Sequence, residues 1–486
     1  MATTSECTGS LNARHRFTEQ GARLRAAPCR RTFALWLVAR VCGFALAAAC
    51  VVLATACSSS SSPVASATQP PLCGNGVAEG PEECDDGNAS NADACLVTCQ
   101  RPVTWVTSDV HVHSSGCAQD ASPARVAEQL KAQQIQLGAA LVWGEGYAND
   151  APFFTGRDHP LSTPAFILHY DLEVSHFQAA RGGHLLLLGL DSIAFSSDVF
   201  HTPNSGIPVV EWARRQPRAV VGMAHAQFWP ADGIQNRPGG CCTPWDTIVH
   251  AVRGRLDFLS MERMPEEEPA TFRLWKALEN AGFRVAITGG SDWSCIADRF
   301  HERTPRTDVI VEGPLTYEGW LAGIKAGRTV ASARVGTRLN LRVEGHRIGD
   351  ELQLAAAQDV TVTLETAGVA ADVEVLVNGE PRARVSVPEG PQLAQVRLPV
   401  ARSSWIAARS HNALTSPVYV LVGGAPVRAS ADDTCYLWRS LEKVEELVTT
   451  RILNLYESEP VALAAYREAA SELQRRFVES GGGACR

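Results

Sequence analysis

Between Pro102 and about Ala333, short apolar runs alternate with amphipathic stretches, and this alternation restricts the fold more than any other feature. The apolar runs have the length of β-strands, and the stretches between them repeat apolar residues at helical spacing. Such alternation is typical of a parallel sheet with helices on both faces. We therefore predict an α/β domain over residues 102–334, with functional side chains at the carboxyl ends of its strands.

The first predicted strand of this domain ends in His113. The later predicted strands are Leu137–Val142, Phe166–Glu173, His184–Leu190, Ala219–Ala224, Leu256–Met261, Arg284–Ile287 and Val309–Val311. The predicted helices are Pro123–Gln134, Val209–Arg215, Ala270–Ala281 and Tyr317–Ala326.

Residues 335–424 follow a different pattern of short strands with alternating apolar residues. Turn signals at Asn378-Gly379 and Glu389-Gly390 separate some of these strands. This pattern predicts a small antiparallel β-sandwich. Its predicted strands are Leu339–Val343, Val360–Leu364, Val373–Val377, Gln395–Leu398, Trp405–Arg409 and Val418–Leu421.

The pattern of apolar residues in 425–486 predicts a helical tail. Apolar residues recur at helical spacing on both sides of Pro460, which separates two helices. An antiparallel pair of helices would bring Cys435 close to Cys485, so we predict a disulfide between them.

Residues 1–57 have the pattern of a lipoprotein-type signal segment. Arg30, Arg31 and Arg40 precede an apolar run from Val41 to Ala56, and Cys57 follows small residues as in a bacterial lipobox. The alternative is a transmembrane anchor, but the run is shorter than the roughly 20 residues that a spanning helix needs. We expect a cleaved, lipidated protein of the cell envelope, either an outer-membrane lipoprotein or a periplasmic or extracellular protein.

The cysteine content agrees with export. Of the 15 cysteines, four fall in the signal segment and Cys57 is the lipidation candidate, which leaves ten, an even number. An even number suits disulfide formation in an oxidising compartment. The net charge of −8 argues against a nucleic-acid partner.

A flexible Ser/Pro-rich linker at residues 58–72 leads into a small cysteine-rich unit at residues 73–100. Four cysteines with little apolar content predict two disulfides: Cys73, Cys84, Cys95 and Cys99. With its CDDGN run, the unit resembles the cysteine-rich repeats of myxobacterial surface proteins. Four oxygen-bearing residues could bind Ca²⁺, although turn geometry explains their presence better: Asp85, Asp86, Asn88 and Asp93.

The strand that ends in Val110-His111-Val112-His113 predicts a metal site, because residues two apart on a strand face the same side. Four further candidate ligands border strand-like runs: Glu173, His184, His225 and Asp292. Two carboxylates and four imidazoles suit two divalent cations, with Zn²⁺, Mn²⁺ and Fe²⁺ all plausible. A bridging carboxylate could hold the ions close together with a shared hydroxide as nucleophile.

Each of these residues also has an ordinary structural explanation. A single buried histidine is more often a hydrogen-bonded core residue than a ligand. A single carboxylate at a strand end is often a helix N-cap. Six such residues in the order HxH…E…H…H…D, each at a strand boundary, favour the metal site.

In these motifs, residues 108–334 resemble the PHP superfamily of metal-dependent phosphoesterases and hydrolases. Within that superfamily they are most similar to the CehA/McbA-like branch, some members of which hydrolyse carbamates. The resemblance implies a distorted (β/α)7 barrel. It also implies that His111, His113 and Asp292 hold one metal, and that Glu173 bridges to a second. The ligands of that second metal would be His184 and His225.

The sequence departs from the superfamily pattern at two places. Ser294 stands where a histidine is usual, and residues 142–146 replace a usual Thr-Asp-His run. Both changes remove ligands of a third metal, so we predict two metals. Glu145 or His301 could occupy the vacated space, and Arg306 could either steady an oxyanion or form a structural ion pair.

Four further cysteines would lie at the barrel mouth: Cys117, Cys241, Cys242 and Cys295. Disulfides among them could fix the loops around the site, and thiol catalysis is the less favoured interpretation.

These features predict an envelope-anchored binuclear metal-dependent hydrolase that acts on an ester, carbamate or phosphoester of a small molecule. Glu173, Asp292 and Arg306 are its candidate catalytic residues. The alternative is a non-catalytic, metal-binding surface or adhesion lipoprotein.

Overall fold

The computed structural model of the protein describes residues 73–485 with gaps at 79–81, 83, 89, 91–94, 97–98, 116–120, 176–182, 195–204, 227–244, 265–268, 295–303, 370–371, 388–389 and 451–459. The signal segment, Cys57 and the linker lie outside the described residues. The same holds for seven residues discussed above: Asp93, Cys117, Cys241, Cys242, Cys295, His301 and Glu389.

Eight α-helices are described, and six of them lie close to predicted positions. They are α1 (Pro123–Ala132), α2 (Tyr147–Asp150), α3 (Ile207–Ala213), α4 (Thr247–Val252), α5 (Pro269–Asn280), α6 (Tyr317–Lys325), α7 (Ala431–Thr450) and α8 (Pro460–Glu479). Helix α1 begins where its sequence predicts, because Ser122 accepts a hydrogen bond from the Arg125 backbone and a proline occupies the first turn.

The first ten strands are β1 (Val103–His113), β2 (Leu137–Val142), β3 (Ile167–Val174), β4 (His184–Leu188), β5 (Val220–Ala224), β6 (Phe258–Met261), β7 (Ala286–Gly289), β8 (Trp293–Ser294), β9 (Arg306–Glu312) and β10 (Thr329–Ser332). The other ten are β11 (Arg338–Val343), β12 (His346–Arg347), β13 (Glu351–Leu354), β14 (Gln358–Ala367), β15 (Val373–Val377), β16 (Glu380–Val385), β17 (Gln392–Val400), β18 (Ser404–Ser410), β19 (Ala413–Thr415) and β20 (Val418–Val422).

The large sheet runs in the order β13-β20-β18-β19-β10-β9-β1-β2-β3-β4-β5-β6-β7 and curls into a half-barrel. Short strand β8 pairs with β1, so the chain that leaves β7 returns to the first strand. The two faces of the half-barrel belong to different cores. One holds Val110 and Trp320 and is here called the Trp320 side; the other holds Val112 and helix α1 and is called the α1 side.

The expectation of a parallel sheet is wrong for β9, which runs antiparallel to both β1 and β10. It is also wrong for β4, which runs antiparallel to both β3 and β5. The reason is the length of the connection. Only residues 175–183 join β3 to β4, and a parallel connection needs a dozen residues or more. The strands β1-β2-β3 and β5-β6-β7 form two parallel groups on either side of β4.

Strand β1 contains a β-bulge in front of its two histidines. Asp109 aligns with Gly138 of β2, and Val112 aligns with Ala140, so three steps along β1 match two along β2. One extra residue reverses the face to which the following side chains point.

The strands of residues 335–424 belong to two sheets, and only one of these sheets is separate from the half-barrel. Strands β12-β11-β14-β17 form an antiparallel sheet of their own. The remaining strands continue the large sheet, because β19 pairs with β10. Val330 and Ile310 of the large sheet accordingly share a core with Leu341 and Val362 of the small one.

Helices α7 and α8 pack as a pair against the half-barrel, with Leu437 and Leu473 fully buried. The disulfide Cys435–Cys485, which the sequence predicts, joins α7 to the residues that follow α8. Asp433 of α7 accepts a hydrogen bond from Asn280 at the end of α5.

The cysteine-rich unit contains the disulfides Cys73–Cys99 and Cys84–Cys95. The carboxylate of Asp85 accepts backbone N–H groups of residues 74, 75, 76 and 87. These bonds give Asp85 the turn-forming role that the sequence favours over Ca²⁺ binding.

Among the helices of the described ranges, none combines the length and the apolar character that crossing a membrane requires.

Candidate metal centre

The predicted ligands lie at one edge of the half-barrel. His111 and His113 end β1, and Glu173 is the penultimate residue of β3. His184 begins β4 rather than ending it, yet it reaches the same edge because β4 runs antiparallel to β3. The other two ligands follow the ends of β5 and β7: His225 and Asp292.

The bulge in β1 decides where the histidines point. Val110 packs on the Trp320 side, whereas Val112 packs on the α1 side. His111 and His113 alternate with Val112 and therefore face away from α1, toward Glu173. The His-x-His pattern predicts that the two rings share a face, but the bulge selects which face it is.

Glu173 and Asp292 each place one carboxylate oxygen beside the Nε2 atoms of His111 and His113, and His111, His113 and Asp292 form a group that could hold a cation. His111 Nε2 lies 3.1 Å from His113 Nε2. Glu173 Oε2 lies 3.1 Å from both of these nitrogens. Asp292 Oδ1 lies 3.3 Å from His111 Nε2 and 3.1 Å from His113 Nε2.

Hydrogen bonds alone do not account for this crowding, because each imidazole has one Nε2–H at most and the two Nε2 atoms face each other. A divalent cation does account for it. Ligand atoms at about 2.0–2.1 Å from a tetrahedral zinc ion lie about 3.3–3.4 Å apart. Two imidazoles and two carboxylates are a donor set that first-row divalent cations accept.

The second carboxylate oxygen of Glu173 faces a second group of histidines. Glu173 Oε1 lies 3.0 Å from His184 Nδ1. The rings of His184 and His225 meet edge to face, with centroids 4.5 Å apart. Glu173 therefore has one oxygen toward each pair of histidines, which is the arrangement that a bridging carboxylate requires.

Glu262 joins the site, and the sequence reasoning missed it. Its Oε1 lies 3.2 Å from His111 Nδ1 and 3.4 Å from His225 Nε2. His111, His225 and Glu262 each offer one ligand atom within 4.8 Å of the others, so Glu262 is a candidate ligand as well as a neighbour of His111. A carboxylate placed in this way fixes the tautomer and orientation of a metal-binding histidine. Glu262 directly follows β6, so the strand-end rule applied to His225 would have found it.

Two ligands hold uncommon backbone conformations. His225 has a φ of 33° and Asp292 a φ of 46°, both in the left-handed region. Such a conformation costs a non-glycine residue about 1–3 kcal/mol, and it clusters at functional sites. At these strand ends it turns the two side chains toward the cluster.

The electrostatics of the cluster match its geometry. Burial lowers the pKa of His111, but Asp292 and Glu173 outweigh burial and hold that pKa well above its ordinary value. Burial raises the pKa of Glu173, but His113 and His111 hold it well below its usual range. Burial lowers the pKa of His225 to about 3, so this ring is neutral, the form that binds metals.

Two neighbours support the backbone of the site. Asp109 Oδ1 accepts the backbone N–H groups of His111 and Ser291, at 3.0 and 3.1 Å. Ser291 Oγ donates to the backbone carbonyl of His111. These bonds tie the end of β1 to the turn that carries Asp292.

Trp143 covers one side of the site. Its ring lies 4.5 Å from that of His113, and its Nε1–H donates to the Ser115 carbonyl. The segment that replaces the usual Thr-Asp-His run thus supplies an aromatic wall. The side chain of Glu145 lies outside the described part of this segment.

Arg306 is not brought to the cluster. Its guanidinium donates to the backbone carbonyls of Gln133, at the end of α1, and Thr304. It therefore lies on the α1 side of the sheet, away from the histidine rings.

The geometry defines a candidate divalent-metal centre in a mixed α/β fold. No family model matches this sequence, and no curated protein matches it. Among solved structures, the chain is similar to a two-domain protein from Bacteroides vulgatus ATCC 8482 that contains a predicted PHP-like metal-dependent phosphoesterase. The match covers 70% of this chain and 98% of that chain, with 14% sequence identity and a TM-score of 0.36. A likeness at this level adds nothing to the geometry above.

Proposed function

We propose that the protein is a binuclear metal-dependent hydrolase that cleaves an ester, carbamate or phosphoester of a small molecule. The observation that carries the proposal is that Nε2 of His111 lies 3.1 Å from Nε2 of His113, with one oxygen of Glu173 and one of Asp292 within 3.1–3.3 Å of both nitrogens. The resemblance of residues 108–334 to the PHP superfamily, and to its CehA/McbA-like branch, points in the same direction.

The residues present fit two divalent cations. His111, His113 and Asp292 would hold one ion, and His184 with His225 the other, with Glu173 between them. Bound there, the ions would activate a water molecule as nucleophile and stabilise the negative charge that develops on the substrate.

The chain's own groups set the direction of approach. Glu173 is buried at the floor of the site, whereas the side chain of Asp292 is 41% exposed. Substrate would therefore arrive on the Asp292 side. Glu262 would keep Nε2 of His111 directed at the cluster by accepting from Nδ1.

Metal quantification together with an activity panel tests this proposal. Purified protein should contain close to two Zn²⁺, Mn²⁺ or Fe²⁺ ions per chain by elemental analysis. It should hydrolyse at least one of p-nitrophenyl acetate, p-nitrophenyl phosphate, bis-p-nitrophenyl phosphate and 1-naphthyl N-methylcarbamate. A chelator should abolish the activity, and added metal should restore it.

Asp292→Asn is the informative variant, because it removes a ligand charge with little change of shape. We expect it to lower both metal content and turnover, while Asp359→Asn on the small sheet leaves both unchanged. Two bound metals without hydrolysis of any of these substrates would contradict the enzyme and favour a non-catalytic surface protein. Less than one metal ion per chain would contradict the metal centre itself.

We also propose that the protein is exported and anchored to the cell envelope by lipid on Cys57, as the signal-like segment predicts. A Cys57→Ser variant should then move from the membrane fraction to the soluble fraction of cells. An unchanged distribution between the fractions would contradict the anchor.

A further inference from the structure

A cleft of about 440 Å³ opens on the α1 side of the sheet. Arg306 and Asp308 of β9 form part of its wall, together with Lys131 near the end of α1. Arg334, between β10 and β11, and Arg338, the first residue of β11, line the cleft from another direction. The cleft thus lies where the half-barrel meets the start of the small sheet.

The charged residues that line the cleft are predominantly basic. Four carry positive charge, and one is a carboxylate: Lys131, Arg306, Arg334, Arg338 and Asp308. Both oxygens of Asp308 accept hydrogen bonds from hydroxyl groups, Oδ1 from Thr107 and Oδ2 from Ser332. One carboxylate therefore balances only part of the positive charge that lines the cleft.

Arg306 is buried with an unused donor. Only 2% of the residue is exposed, and Nη1 and Nε donate to the carbonyls of Gln133 and Thr304. Its Nη2 is buried and has no hydrogen-bond partner within the described ranges. A buried guanidinium nitrogen without an acceptor is destabilising, because its hydration is lost without replacement.

Arg338 has a similar unused donor. Its guanidinium stacks on the ring of Trp105 at 4.3 Å, which fixes its position. Its Nη1 is buried and, like Nη2 of Arg306, finds no partner in the part of the chain that the structure describes. Burial lowers the pKa of both guanidinium groups, as expected for cations whose charge is incompletely compensated.

We propose that this cleft binds an oxyanion of the phosphate or carboxylate type. Arg306 and Arg338 would donate to it through their guanidinium groups. Guanidinium groups suit such anions because their N–H groups form pairs of charge-assisted hydrogen bonds. Lys131, a flexible cation at the rim, would add a further positive charge.

This site is separate from the metal centre. The rings of His111 and His113 face away from α1, whereas Arg306 contacts the last turn of that helix. A ligand of the cleft would join β9 and α1 to the segment that leads into β11. Binding should therefore also stabilise the folded chain.

Titration of the full chain with inorganic phosphate, and separately with malonate, tests the proposal. We expect isothermal titration calorimetry to detect binding of at least one anion, with a rise in Tm. Arg338→Gln and Lys131→Gln test the cleft through its less buried cations, in case Arg306→Gln fails to fold. Arg342→Gln is the matched control, because it removes an arginine from the same strand outside the cleft.

Arg338→Gln should weaken binding about tenfold or more, the effect of losing one charge-assisted hydrogen bond. Lys131→Gln should weaken it less, and Arg342→Gln should leave it unchanged. Asp292→Asn should also leave anion affinity unchanged, since it alters only the metal centre. Equal affinity in Arg338→Gln and wild type, binding lost in Asp292→Asn, or no binding of either anion would each overturn the proposal.

Discussion

At the scale of single residues, the candidate metal centre consists of buried ionisable groups that lie against one another. Glu173 is 2% exposed and His111 is fully buried, so neither reaches bulk water. A buried charge is tolerated only when it is paired or binds a metal. The close approach of two imidazoles to two carboxylates thus indicates a site shaped for a cation.

Replacing Glu262 by glutamine tests its role as the partner of His111. The change removes the acceptor charge at 3.2 Å from His111 Nδ1 and should weaken metal affinity about 10–100-fold. Competition with a fluorescent chelator would measure the effect.

The matched control is Glu318→Gln, because that carboxylate pairs with Arg218 at the surface. Unchanged metal affinity in Glu262→Gln would mean that Glu262 neither orients nor ligates.

Glu279, which lies outside the candidate metal centre, should make the stability of the protein depend on pH. It is 1% exposed, and burial raises its pKa to about 8, well above about 4.5 in the unfolded chain. A carboxyl with a raised folded pKa favours folding fully below about pH 4.5, and this contribution is lost as the pH rises through about 8. The free energy of unfolding should therefore fall between pH 6 and pH 9. The slope is about 1.4 kcal/mol per pH unit until the pH passes the pKa of Glu279 in the folded state.

Glu279→Gln should reduce this decline, because an amide does not ionise. Urea denaturation at pH 6, 7.5 and 9 would measure it, with Glu128→Gln on the exposed face of α1 as control. Equal slopes of stability against pH in wild type and Glu279→Gln would contradict the raised pKa.

At the scale of elements, strand ends and close backbone contacts bring the ligands together. The reversal of β4 places its first residue beside the last residues of β3. The turn between β7 and β8 packs directly against β1. A Cβ at Gly290 would lie 2.7 Å from Ser260 Oγ and 2.9 Å from His111 Cβ.

Gly290→Ala should therefore displace the end of β1. We expect a loss of about 1–3 kcal/mol in the free energy of unfolding, as for an overpacked core. Metal affinity should fall as well, because His111 is the group displaced. Thermal melts and metal titration of the same preparation would measure both effects.

Gly483→Ala is the control, because a Cβ there has open space. Wild-type stability and wild-type metal affinity in Gly290→Ala would contradict this account of the turn.

At the scale of the whole molecule, distant parts of the chain are fastened to the half-barrel. The large sheet continues from β10 into β19, so hydrogen bonds cross the expected boundary near residue 334. Tyr466 of α8 donates to Asp246, which immediately precedes α4. The tail is thus joined to the start of α4, which lies between β5 and β6 in the chain.

The disulfide Cys435–Cys485 should contribute to global stability. Its cysteines are 50 residues apart, and closing a loop of that length stabilises by about 4 kcal/mol in the chain-entropy model. Replacing both cysteines by serine should lower the free energy of unfolding by about 2–4 kcal/mol in urea, with metal affinity retained.

The corresponding double variant of Cys84 and Cys95 serves as control. Its disulfide closes a short loop in the cysteine-rich unit, so the main unfolding transition should not move. A Cys435→Ser/Cys485→Ser variant as stable as wild type would contradict the stabilising role.

The sequence by itself determined the elements and the pool of ligands. Predicted strands such as Leu137–Val142 and helices such as Tyr317–Ala326 agree closely with the structure, because apolar periodicity is a local property of the chain. The His-x-His pattern and its partners were visible for the same reason, since each borders its own apolar run. The pairing of Cys435 with Cys485 followed from a simple antiparallel arrangement of two helices.

Four features were decided only by the tertiary structure: the bulge in β1, the direction of β4, the contact of Glu262 with His111 and the position of Arg306. Each depends on which distant residues become neighbours, such as Glu262 beside His111 or Arg306 beside the end of α1. Local periodicity does not encode strand register or the face to which a side chain turns after an inserted residue. The sequence therefore supplied the candidate ligands, and the packing of the strands decided how they meet.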